Sequence, residues 1–458
     1  MIDQVVKAYD IRGLVGTQLD ATFVRDVGAA FARILLDEES GLGSGRGVVV
    51  AHDMRESSPE LSEAFAEGVT SLGVDVVAIG LASTDELYYA SGSLDMPGAM
   101  FTASHNPAAY NGIKLCRAGA APVGQDSGLD EIAALLDRGP GEAAGDEVRG
   151  TITRRDLLED YAAFLRSLVD LSDIRRLSVV VDAGNGMAGH TVPAVLDPLP
   201  IEVEPLFFEL DGSFPNHEAN PLDPDNLRDL QRKVMTIGRV DAGLAFDGDA
   251  DRVFLVDEKG DAVSPSAITA LVASRELAKH PGSTVIHNLI TSRAVPEIVT
   301  EAGGKPVRSR VGHSFIKGTM AETGAVFGGE HSAHYYFRDF WRADSGMLAA
   351  LHVLAALGEQ DRPLSELMAQ YSRYAASGEI NSTVDDPRAV MAEVEQTFGG
   401  RDGVTTDDLD GLTVTLSDGS WFNLRPSNTE PLLRLNVEAA DDDAVAALRD
   451  EVLGLVRG

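Results

Sequence analysis

The sequence predicts an α/β protein of several domains, and three observations lead to that fold class. Its 458 residues exceed what one hydrophobic core organises, and at roughly 150 residues per domain they predict three or four domains. From the amino terminus to about Tyr371, short apolar strands alternate with helical patterns, which favours mostly parallel sheets. Beyond Tyr371, short alternating strands surround one helix and precede another, which is typical of an α+β domain. We therefore expect three α/β domains over residues 1–150, 151–256 and 257–370, followed by a smaller α+β domain over residues 371–458.

The composition describes a strongly acidic globular protein. There are 72 Asp and Glu against 38 Lys and Arg, so the formal net charge is -34, which disfavours nucleic acid and anionic membranes as partners. No stretch approaches the roughly 18 apolar residues that a membrane helix needs, and residues 1–4 begin no secretory signal. The single cysteine, Cys116, cannot form an internal disulfide. These features predict a cytoplasmic protein.

The loop over residues 102–107 is the first candidate for chemistry. It follows an apolar strand predicted over residues 99–102 and ends in an Asn-Pro pair that favours a turn. Because α/β enzymes place chemistry at strand ends, Ser104 is a candidate nucleophile. Its neighbour His105 is not expected to be its base, since adjacent residues in an extended chain point to opposite faces. An ordinary polar loop is the alternative.

Two cations lie near turn signals in the same domain. Arg12 precedes a glycine, which predicts a turn, and Lys114 is the cation of a turn signal over residues 110–114. A helix is predicted over residues 58–71, because its second residue is a proline, which suits a first helical turn. The stretch over residues 139–150, which is rich in glycine, alanine and glutamate, predicts a linker.

A glycine motif follows the strand predicted over residues 177–181. Gly184, Gly186 and Gly189 form a G-x-G-x-x-G, and Glu204 lies about 20 residues beyond the first glycine, which is the layout of a dinucleotide-binding turn. A tight strand-to-helix turn explains the same glycines without a nucleotide. The residues alone leave both interpretations open.

Three aspartates at alternate positions form a loop between two apolar strands. Asp247, Asp249 and Asp251 can converge on a hard cation, which binds oxygen ligands, and we predict a Mg²⁺ site. The alternatives are a solvated acidic turn and an EF-hand-like calcium loop with Glu258 as its last ligand. Arg252 stands where an EF-hand needs glycine, and the flanking segments predict strands rather than helices, which argues against the calcium loop.

Alternating polar residues mark the third domain. Glu330, Ser332 and His334 would face the same side of an extended segment. A carboxylate, a hydroxyl and an imidazole on one face suit the hydroxyl groups of a sugar. A polar strand edge is the alternative.

The C-terminal domain contains a polar loop with two prolines. Arg425, Ser427, Asn428 and Thr429 bring a guanidinium, two hydroxyls and an amide together. An arginine fork matches phosphate oxygens, and the small polar groups add hydrogen bonds. We predict a phosphate-binding loop here, with a plain turn as the alternative.

Together the motifs supply a presented serine, a metal loop, a hydroxyl-binding segment and a phosphate-binding loop, one in each domain. This distribution predicts a cleft where the domains meet. A metal beside a nucleophilic serine and an arginine points to phosphoryl transfer, in which positioning and charge neutralisation do most of the catalysis.

The same motifs, in this order and over essentially the whole chain, closely resemble the α-D-phosphohexomutase superfamily. Within it the sequence is most similar to the bacterial phosphomannomutase/phosphoglucomutase group. The resemblance implies three mixed α/β domains of three layers plus a smaller C-terminal α+β domain around a central cleft. It implies an isomerase that interconverts mannose 6-phosphate and mannose 1-phosphate, and it leaves glucose phosphates open as further substrates. The glycine motif would then be a turn that binds no nucleotide.

The resemblance also implies a role for each candidate residue. Ser104 would carry a phosphoryl group, give it to a hexose phosphate to form a bound hexose 1,6-bisphosphate, and take the other phosphate back. The aspartate loop, with a phosphoserine oxygen, would bind Mg²⁺, which neutralises charge on the transferred group. The remaining implied roles are proton transfer for Lys114, contacts near the reacting phosphate for Arg12 and Arg252, acid/base or phosphate contacts for His313 and His334, sugar contacts for Glu330 and Ser332, a substrate contact for His105, and phosphate binding for Arg425, Ser427, Asn428 and Thr429.

Other functions remain open at this point. One is a phosphoglucomutase or a phosphoglucosamine mutase of the same superfamily, although the latter usually has glycine where Ala250 stands. An NAD-dependent oxidoreductase based on the glycine motif would leave Ser104 and Arg425 unexplained. A non-catalytic sugar-phosphate sensor is the third. The expected partners are small-molecule hexose phosphates, and the chain is expected to be a monomer or a small homo-oligomer.

Overall fold

The structure is a computed structural model that describes residues 2–139, 149–426 and 432–458. Most of the predicted linker over residues 139–150 therefore lies outside the described residues. The chain divides into two compact units, Met1–Val263 with Ser332–Leu367 and Ser264–His331 with Met368–Gly458. Within the described ranges no helix is both long enough and apolar enough to cross a membrane.

The first sheet belongs to the first unit and has seven strands. They are β1 (Ile11–Leu14), β2 (Gly47–His52), β3 (Asp75–Leu81), β4 (Gly98–Phe101), β5 (Tyr110–Arg117), β6 (Ala121–Pro122) and β7 (Ile152–Arg154). Their order is β1-β5-β4-β2-β3-β7, with β6 on β5. β4, β2, β3 and β7 run parallel, and β5 pairs antiparallel with β4, β1 and β6. The apolar run over residues 48–51 is buried on both faces, as a central parallel strand requires.

The turns predicted at Arg12 and Lys114 are wrong, because both residues lie in strands. Arg12 is in β1 and Lys114 in β5, and Arg12 pairs with Gly112. A Cβ on Gly112 would lie 2.6 Å from the carbonyl oxygen of Ile11 and 2.8 Å from that of Thr102. The glycine is therefore explained by the close approach of neighbouring backbones, not by a turn.

Five helices pack around this sheet, and two of them begin at a side-chain cap. They are α1 (Ile2–Val5), α2 (Ala21–Asp37), α3 (Ser58–Thr70), α4 (Thr84–Leu94) and α5 (Leu129–Arg138). Helix α3 confirms the predicted helix, with its proline in the first turn. Asp20 caps α2 by accepting from the amide of Phe23, and Ser83 caps α4 by accepting from that of Glu86. The apolar faces of α2 and α3 join β2 in one core.

A second sheet follows in the same unit. Its strands are β8 (Leu177–Asp182), β9 (Ile201–Leu206), β10 (Ala242–Phe246), β11 (Val253–Val256) and β12 (Ala262–Val263), and its helices are α6 (Leu158–Leu168), α7 (Ala188–Leu196) and α8 (Arg228–Ile237). The order is β12-β11-β10-β8-β9. β10, β8 and β9 are parallel, whereas β10 and β11 form an antiparallel hairpin. The three aspartates lie in the loop of this hairpin.

The third stretch of the chain contributes to both units. The second unit contains α9 (Pro265–Lys279), β13 (Thr284–Asn288), α10 (Ala294–Glu301), β14 (Lys305–Ser309), α11 (His313–Thr323) and β15 (Phe327–Gly329). In it β13 pairs in parallel with β14 and β15. The first unit contains the antiparallel pair β16 (Tyr335–Phe337) and β17 (Ala343–Asp344), and the buried helix α12 (Gly346–Gly358). Helix α13 (Leu364–Ala369) comes next.

The C-terminal stretch forms an antiparallel sheet with two helices, as predicted for an α+β domain. Its elements are β18 (Ala375–Ala376), β19 (Ile380–Thr383), α14 (Pro387–Gly399), β20 (Thr405–Asp407), β21 (Leu412–Thr415), β22 (Trp421–Pro426), β23 (Leu432–Ala439) and α15 (Asp442–Arg457). The order is β18-β23-β22-β21-β20, with β19 on β23. Helices α14 and α15 share a core with this sheet. The elements confirm a multi-domain α/β architecture.

Candidate active site

Ser104 lies in the loop between β4 and β5 and is held in an unusual backbone conformation. Its φ is +49°, in the left-handed region that residues other than glycine seldom adopt. Its amide donates to the hydroxyl of Thr102 over 2.8 Å, and only 5% of the residue is exposed. Strained backbone of this kind persists where surrounding contacts determine it, and it often occurs at functional sites.

The prediction that His105 points away from Ser104 is wrong. His105 Nδ1 lies 3.2 Å from Ser104 Oγ. Adjacent side chains point to opposite faces only in an extended chain, and the left-handed φ of Ser104 is not extended. Burial lowers the pKa of His105, and the neighbouring Arg252 lowers it further, so the imidazole is neutral near pH 7.

Arg55 anchors the serine loop, and sequence reasoning missed it. Its guanidinium donates to the backbone carbonyls of Ser104, Asn106, Pro107 and Tyr110 over 2.7–3.0 Å. Nε of the same side chain donates to an Asp53 carboxylate oxygen over 3.2 Å. A buried cation of this kind is stable only when its donors are satisfied. The sequence signal for this role is the pair of charged residues, Asp53 and Arg55, that follows the apolar strand β2.

The aspartate loop between β10 and β11 meets the serine loop. Ser104 Oγ donates to Asp247 Oδ2 over 2.9 Å. Asp247, Asp249 and Asp251 are buried, and they offer carboxylate oxygens that all lie within 4.8 Å of one another. A Cβ on Gly248 would stand 2.4 Å from the carbonyl oxygen of Ser104, so only glycine permits this approach.

Two cations contact the carboxylates. Lys114 Nζ lies 2.7 Å from Asp249 Oδ2 and 2.6 Å from Asp251 Oδ2. Burial by itself would lower the pKa of Lys114, but Asp249 and Asp251 raise it well above its ordinary value, so the amine stays protonated. Arg252 donates to Asp247 Oδ2 over 2.8 Å and to Ser104 Oγ over 3.3 Å. Arg252 therefore bridges the serine and the aspartate loop.

The loop fits a divalent cation. Asp249 Oδ1 and Asp251 Oδ1 are buried, and among the described residues neither has a hydrogen-bond partner. Burial, together with the charges of Asp251 and Asp249, raises the pKa of Asp247 despite the charge of Arg252. Unsatisfied carboxylate oxygens that converge are the ligands that Mg²⁺ and Mn²⁺ prefer.

The calcium-loop alternative does not hold. The flanking elements are antiparallel strands rather than helices. Glu258, the expected last ligand, accepts from the amide of Ser365 over 3.0 Å and from its hydroxyl. Both carboxylate oxygens of Glu258 therefore accept hydrogen bonds from Ser365 in α13.

Arg12 lies beside the serine loop. Its Nη1 donates to Asn106 Oδ1 over 2.6 Å, and its Nη2 pairs with Asp10. The pairing of β1 with β5 and of β5 with β4 thus places Arg12 and Lys114 near the end of the strand that leads into Ser104.

His334, from the predicted sugar segment, lies beside the aspartate loop in the first unit. Its Nδ1 lies 2.9 Å from Asp344 Oδ2 and 4.0 Å from Asp251 Oδ1. Burial by itself would lower the pKa of His334, but the hydrogen bond to Asp344 and the two carboxylate charges raise it. No sequence motif singles out Asp344, and only the structure shows its contact with His334.

The extended segment predicted through residues 330–334 is wrong. These residues form a turn between β15 and β16, and Ala333 has a φ of +65°. Alternation along a strand therefore does not orient Glu330, Ser332 and His334. In the second unit, Glu330 is buried, and its Oε1 accepts from the amide of Gly312 over 3.1 Å, next to His313 at the start of α11.

Arg425 lies near the end of β22 in the second unit. Its Nη2 lies 3.8 Å from Glu379 Oε2, and its Nε is buried and has no hydrogen-bond partner within the described ranges. The other members of the predicted phosphate-binding loop, Ser427, Asn428 and Thr429, lie outside the described residues.

The glycine motif has a packing role. A Cβ on Gly186 would stand 2.7 Å from the carbonyl oxygen of Gly248 in the aspartate loop. The amide of the next residue, Met187, donates to that same oxygen over 2.9 Å. The strand-to-helix turn thus supports the aspartate loop, which accounts for this glycine without a nucleotide.

Models of one protein family match four consecutive segments of the chain. Four models of the phosphoglucomutase/phosphomannomutase family match in order: the alpha/beta/alpha domains I, II and III over residues 3–140, 159–260 and 264–374, and the C-terminal domain over residues 379–455. The chain therefore belongs to this family, the α-D-phosphohexomutases, as the motifs predicted. It is a phosphohexomutase, an enzyme of the isomerase class.

Individual relatives span nearly the whole chain. It is 42% identical to the phosphohexose mutases protein of Xanthomonas campestris, over 99% of both chains. It is 39% identical to the phosphomannomutase of Escherichia coli K12, over 98% of this chain and 97% of the relative. A crystal structure of a phosphoglucomutase/phosphomannomutase family protein from Burkholderia thailandensis matches with a TM-score of 0.88 and 32% identity, over 99% of this chain and 97% of that one.

Proposed function

We propose that the chain interconverts mannose 6-phosphate and mannose 1-phosphate through a phosphoserine at Ser104 and a hexose 1,6-bisphosphate intermediate. The observation that carries this proposal is the contact of Ser104 Oγ with Asp247 and Arg252, at 2.9 and 3.3 Å. A hydroxyl between a carboxylate loop and a guanidinium suits a phosphoryl carrier, because the cation and the arginine balance the charge of a phosphate. The phosphomannomutase relatives support mannose phosphates as substrates.

The loop aspartates Asp247, Asp249 and Asp251 would hold Mg²⁺ together with an oxygen of the phosphorylated serine. When bound, the cation would neutralise charge on the transferred phosphoryl group. Arg252 stays in place as a second positive charge on the serine oxygen, and Arg55 keeps the backbone of the serine loop from moving.

Transfer breaks the bond between Ser104 Oγ and phosphorus as a sugar hydroxyl oxygen forms a new one. The proton that the sugar hydroxyl loses needs a base, for which the imidazoles of His334 and His313 are candidates. The serine oxygen needs a proton in return, and Lys114, which is held as an ammonium ion, is the candidate donor. The reverse transfer, from the other end of the bisphosphate, restores the phosphoserine.

The remaining predicted residues would bind the substrate. Glu330 and Ser332 would contact sugar hydroxyls in either orientation, and Arg12 and His105 would contact the reacting phosphate. Arg425, with Ser427, Asn428 and Thr429, would hold the phosphate that does not react. We also propose glucose phosphates as further substrates, a proposal supported by the name of the Xanthomonas relative, phosphohexose mutases.

Intact mass tests the phosphoserine directly. Purified wild type and Ser104→Ala are each measured before and after incubation with glucose 1,6-bisphosphate. We expect the wild type to carry one phosphate, about 80 Da, and the variant to carry none and to lose nearly all turnover of mannose 1-phosphate. A wild type that never carries phosphate, or a variant that keeps its turnover, refutes the proposal.

A further inference from the structure

The first turn of α4 carries a run of buried polar side chains that no motif singled out. Ser83, Thr84 and Asp85 are fully buried, and Glu86 is 2% exposed. Burying consecutive polar groups is unfavourable unless hydrogen bonds compensate for the lost water. The hydrogen-bond partners of these side chains therefore indicate the function of the turn.

Thr84 binds Asp249 of the aspartate loop at two points. Its Oγ1 donates to Asp249 Oδ2 over 2.6 Å, and its amide donates to the carbonyl oxygen of Asp249 over 3.0 Å. The side chain and the backbone of Asp249 are thus both fixed by one residue that lies 165 positions away.

The contact leaves one carboxylate oxygen of Asp249 for a cation. Oδ2 accepts from Thr84 and, over 2.7 Å, from Lys114. Oδ1 is buried and lacks a hydrogen-bond partner among the described residues. A carboxylate whose one oxygen is engaged by two donors presents the other oxygen in a defined direction.

Asp85 attaches the same turn to two other helices of the first unit. Its Oδ2 accepts from the hydroxyl of Tyr161 in α6 over 2.8 Å and from that of Ser345, the N-cap of α12, over 2.6 Å. The turn that carries Thr84 is therefore held in place by α6 and by the N-cap of α12. Because the Thr84 hydroxyl is fixed in this way, it is suited to orient the Asp249 carboxylate.

We propose that Thr84 is a positioning residue for the cation site, and that its hydroxyl orients Asp249 so that Oδ1 faces the metal. The proposal deepens the proposed function, because it concerns the cation that the phosphoryl transfer would use. A purely structural role for the hydroxyl would stabilise the fold without changing metal affinity.

Mn²⁺ binding to the full chain separates the two roles. The dissociation constant is measured by electron paramagnetic resonance on metal-free protein without substrate, for wild type, Thr84→Val, Thr84→Ala and Thr84→Ser. Thr70→Val is the matched control, because Thr70 is buried in α3 and its hydroxyl donates only within that helix, to the carbonyl oxygen of Glu67. Urea unfolding of every variant reports its stability.

We expect Thr84→Val to weaken Mn²⁺ binding by about 10- to 100-fold, the range found when partners of metal ligands are removed. Thr84→Ser and Thr70→Val should bind as the wild type does. If Thr84→Val does not fold, Thr84→Ala should still bind more weakly than Thr84→Ser. Equal affinities for the variants with and without the hydroxyl overturn the proposal, as does a wild type that binds no Mn²⁺.

The assay does not depend on turnover. Failure of the wild type to isomerise mannose phosphates would refute the proposed function, and the affinity comparison would still stand. Equal affinities would refute the positioning role, and mutase turnover would still stand.

Discussion

Ser104 Oγ donates a hydrogen bond to Asp247 Oδ2 over 2.9 Å, although the two residues are 143 positions apart. The contact joins the loop after β4 to the loop between β10 and β11, and Arg252 contacts both residues. Two loops from different sheets therefore act as one site, and substitutions in either loop should affect the other.

Gly248→Ala should displace the serine loop. The added Cβ would meet the carbonyl oxygen of Ser104 at 2.4 Å, and backbone atoms on both sides must move to relieve the overlap. We expect the loss of roughly 1–3 kcal/mol in the free energy of unfolding that overpacking causes, together with a large fall in kcat. Urea unfolding and steady-state kinetics measure both. Gly454→Ala is the control, since open space surrounds Gly454 in α15; equal behaviour of the two variants would contradict the steric argument.

Asp249→Ala should remove Mg²⁺-dependent turnover while the protein stays folded. The substitution deletes the carboxylate that both Thr84 and Lys114 orient, and we expect kcat to fall by at least about 100-fold, as when an electrostatic group at a reacting centre is removed. Turnover is measured against Mg²⁺ concentration, with Asp225→Ala, an exposed aspartate in a surface ion pair, as the control. Full activity in chelator-treated wild type would show that the loop needs no cation.

Arg55→Lys should be strongly destabilising, although it keeps the charge. A lysine cannot replace the planar fork that donates to four carbonyls of the serine loop, so several buried acceptors lose their donor. We expect a loss of about 1 to 3 kcal/mol in the free energy of unfolding for each buried carbonyl that is left without a donor. Arg25→Lys is the control for the same substitution at an exposed site, because the ion pair of Arg25 with Glu67 is exposed. A small effect at both positions would mean that the loop does not depend on Arg55.

Glu86→Gln should change how stability depends on pH. Burial raises the pKa of Glu86 from 4.5 to about 8, with further contributions from the charges of Asp85 and Asp156. The folded state therefore keeps a proton that the unfolded state releases between these values. The contribution of Glu86 to stability is fully present below pH 4.5 and is lost as the pH rises towards 8, by up to about 1.4 kcal/mol per pH unit.

Urea unfolding at pH 5 and pH 8 measures this difference. We expect Glu86→Gln to lose less stability than the wild type over that interval, because glutamine cannot ionise. Glu60→Gln, at an exposed position in α3, should follow the wild type. Parallel pH curves for wild type and Glu86→Gln would mean that Glu86 is ionised in the folded protein.

Much of the site could be predicted because its residues follow strands directly. Apolar runs such as residues 48–51 and 253–256 predict buried strands, and the polar residues at their ends stand out. Ser104, Asp247, Asp249 and Asp251 stand out in this way, and the structure brings them together.

The errors arose where backbone conformation departs from the local pattern. The sequence pattern places His105 on the opposite face from Ser104, and it places Glu330, Ser332 and His334 on one face, but both predictions require an extended chain. Positive φ at Ser104 and Ala333 departs from that conformation. Such conformations are imposed by contacts elsewhere in the fold, and a single sequence carries little sign of them.

The sequence by itself determined the α/β class, the order of the motifs and the family, because strand periodicity, turn residues and catalytic motifs are local features of the chain. Only the tertiary structure decided that Arg55 anchors the serine loop, that Thr84 binds Asp249 and that Asp344 holds His334. These partners lie between 10 and 165 positions apart. Their hydrogen bonds form because burial leaves polar groups without water, and which groups meet depends on how the sheets and loops pack.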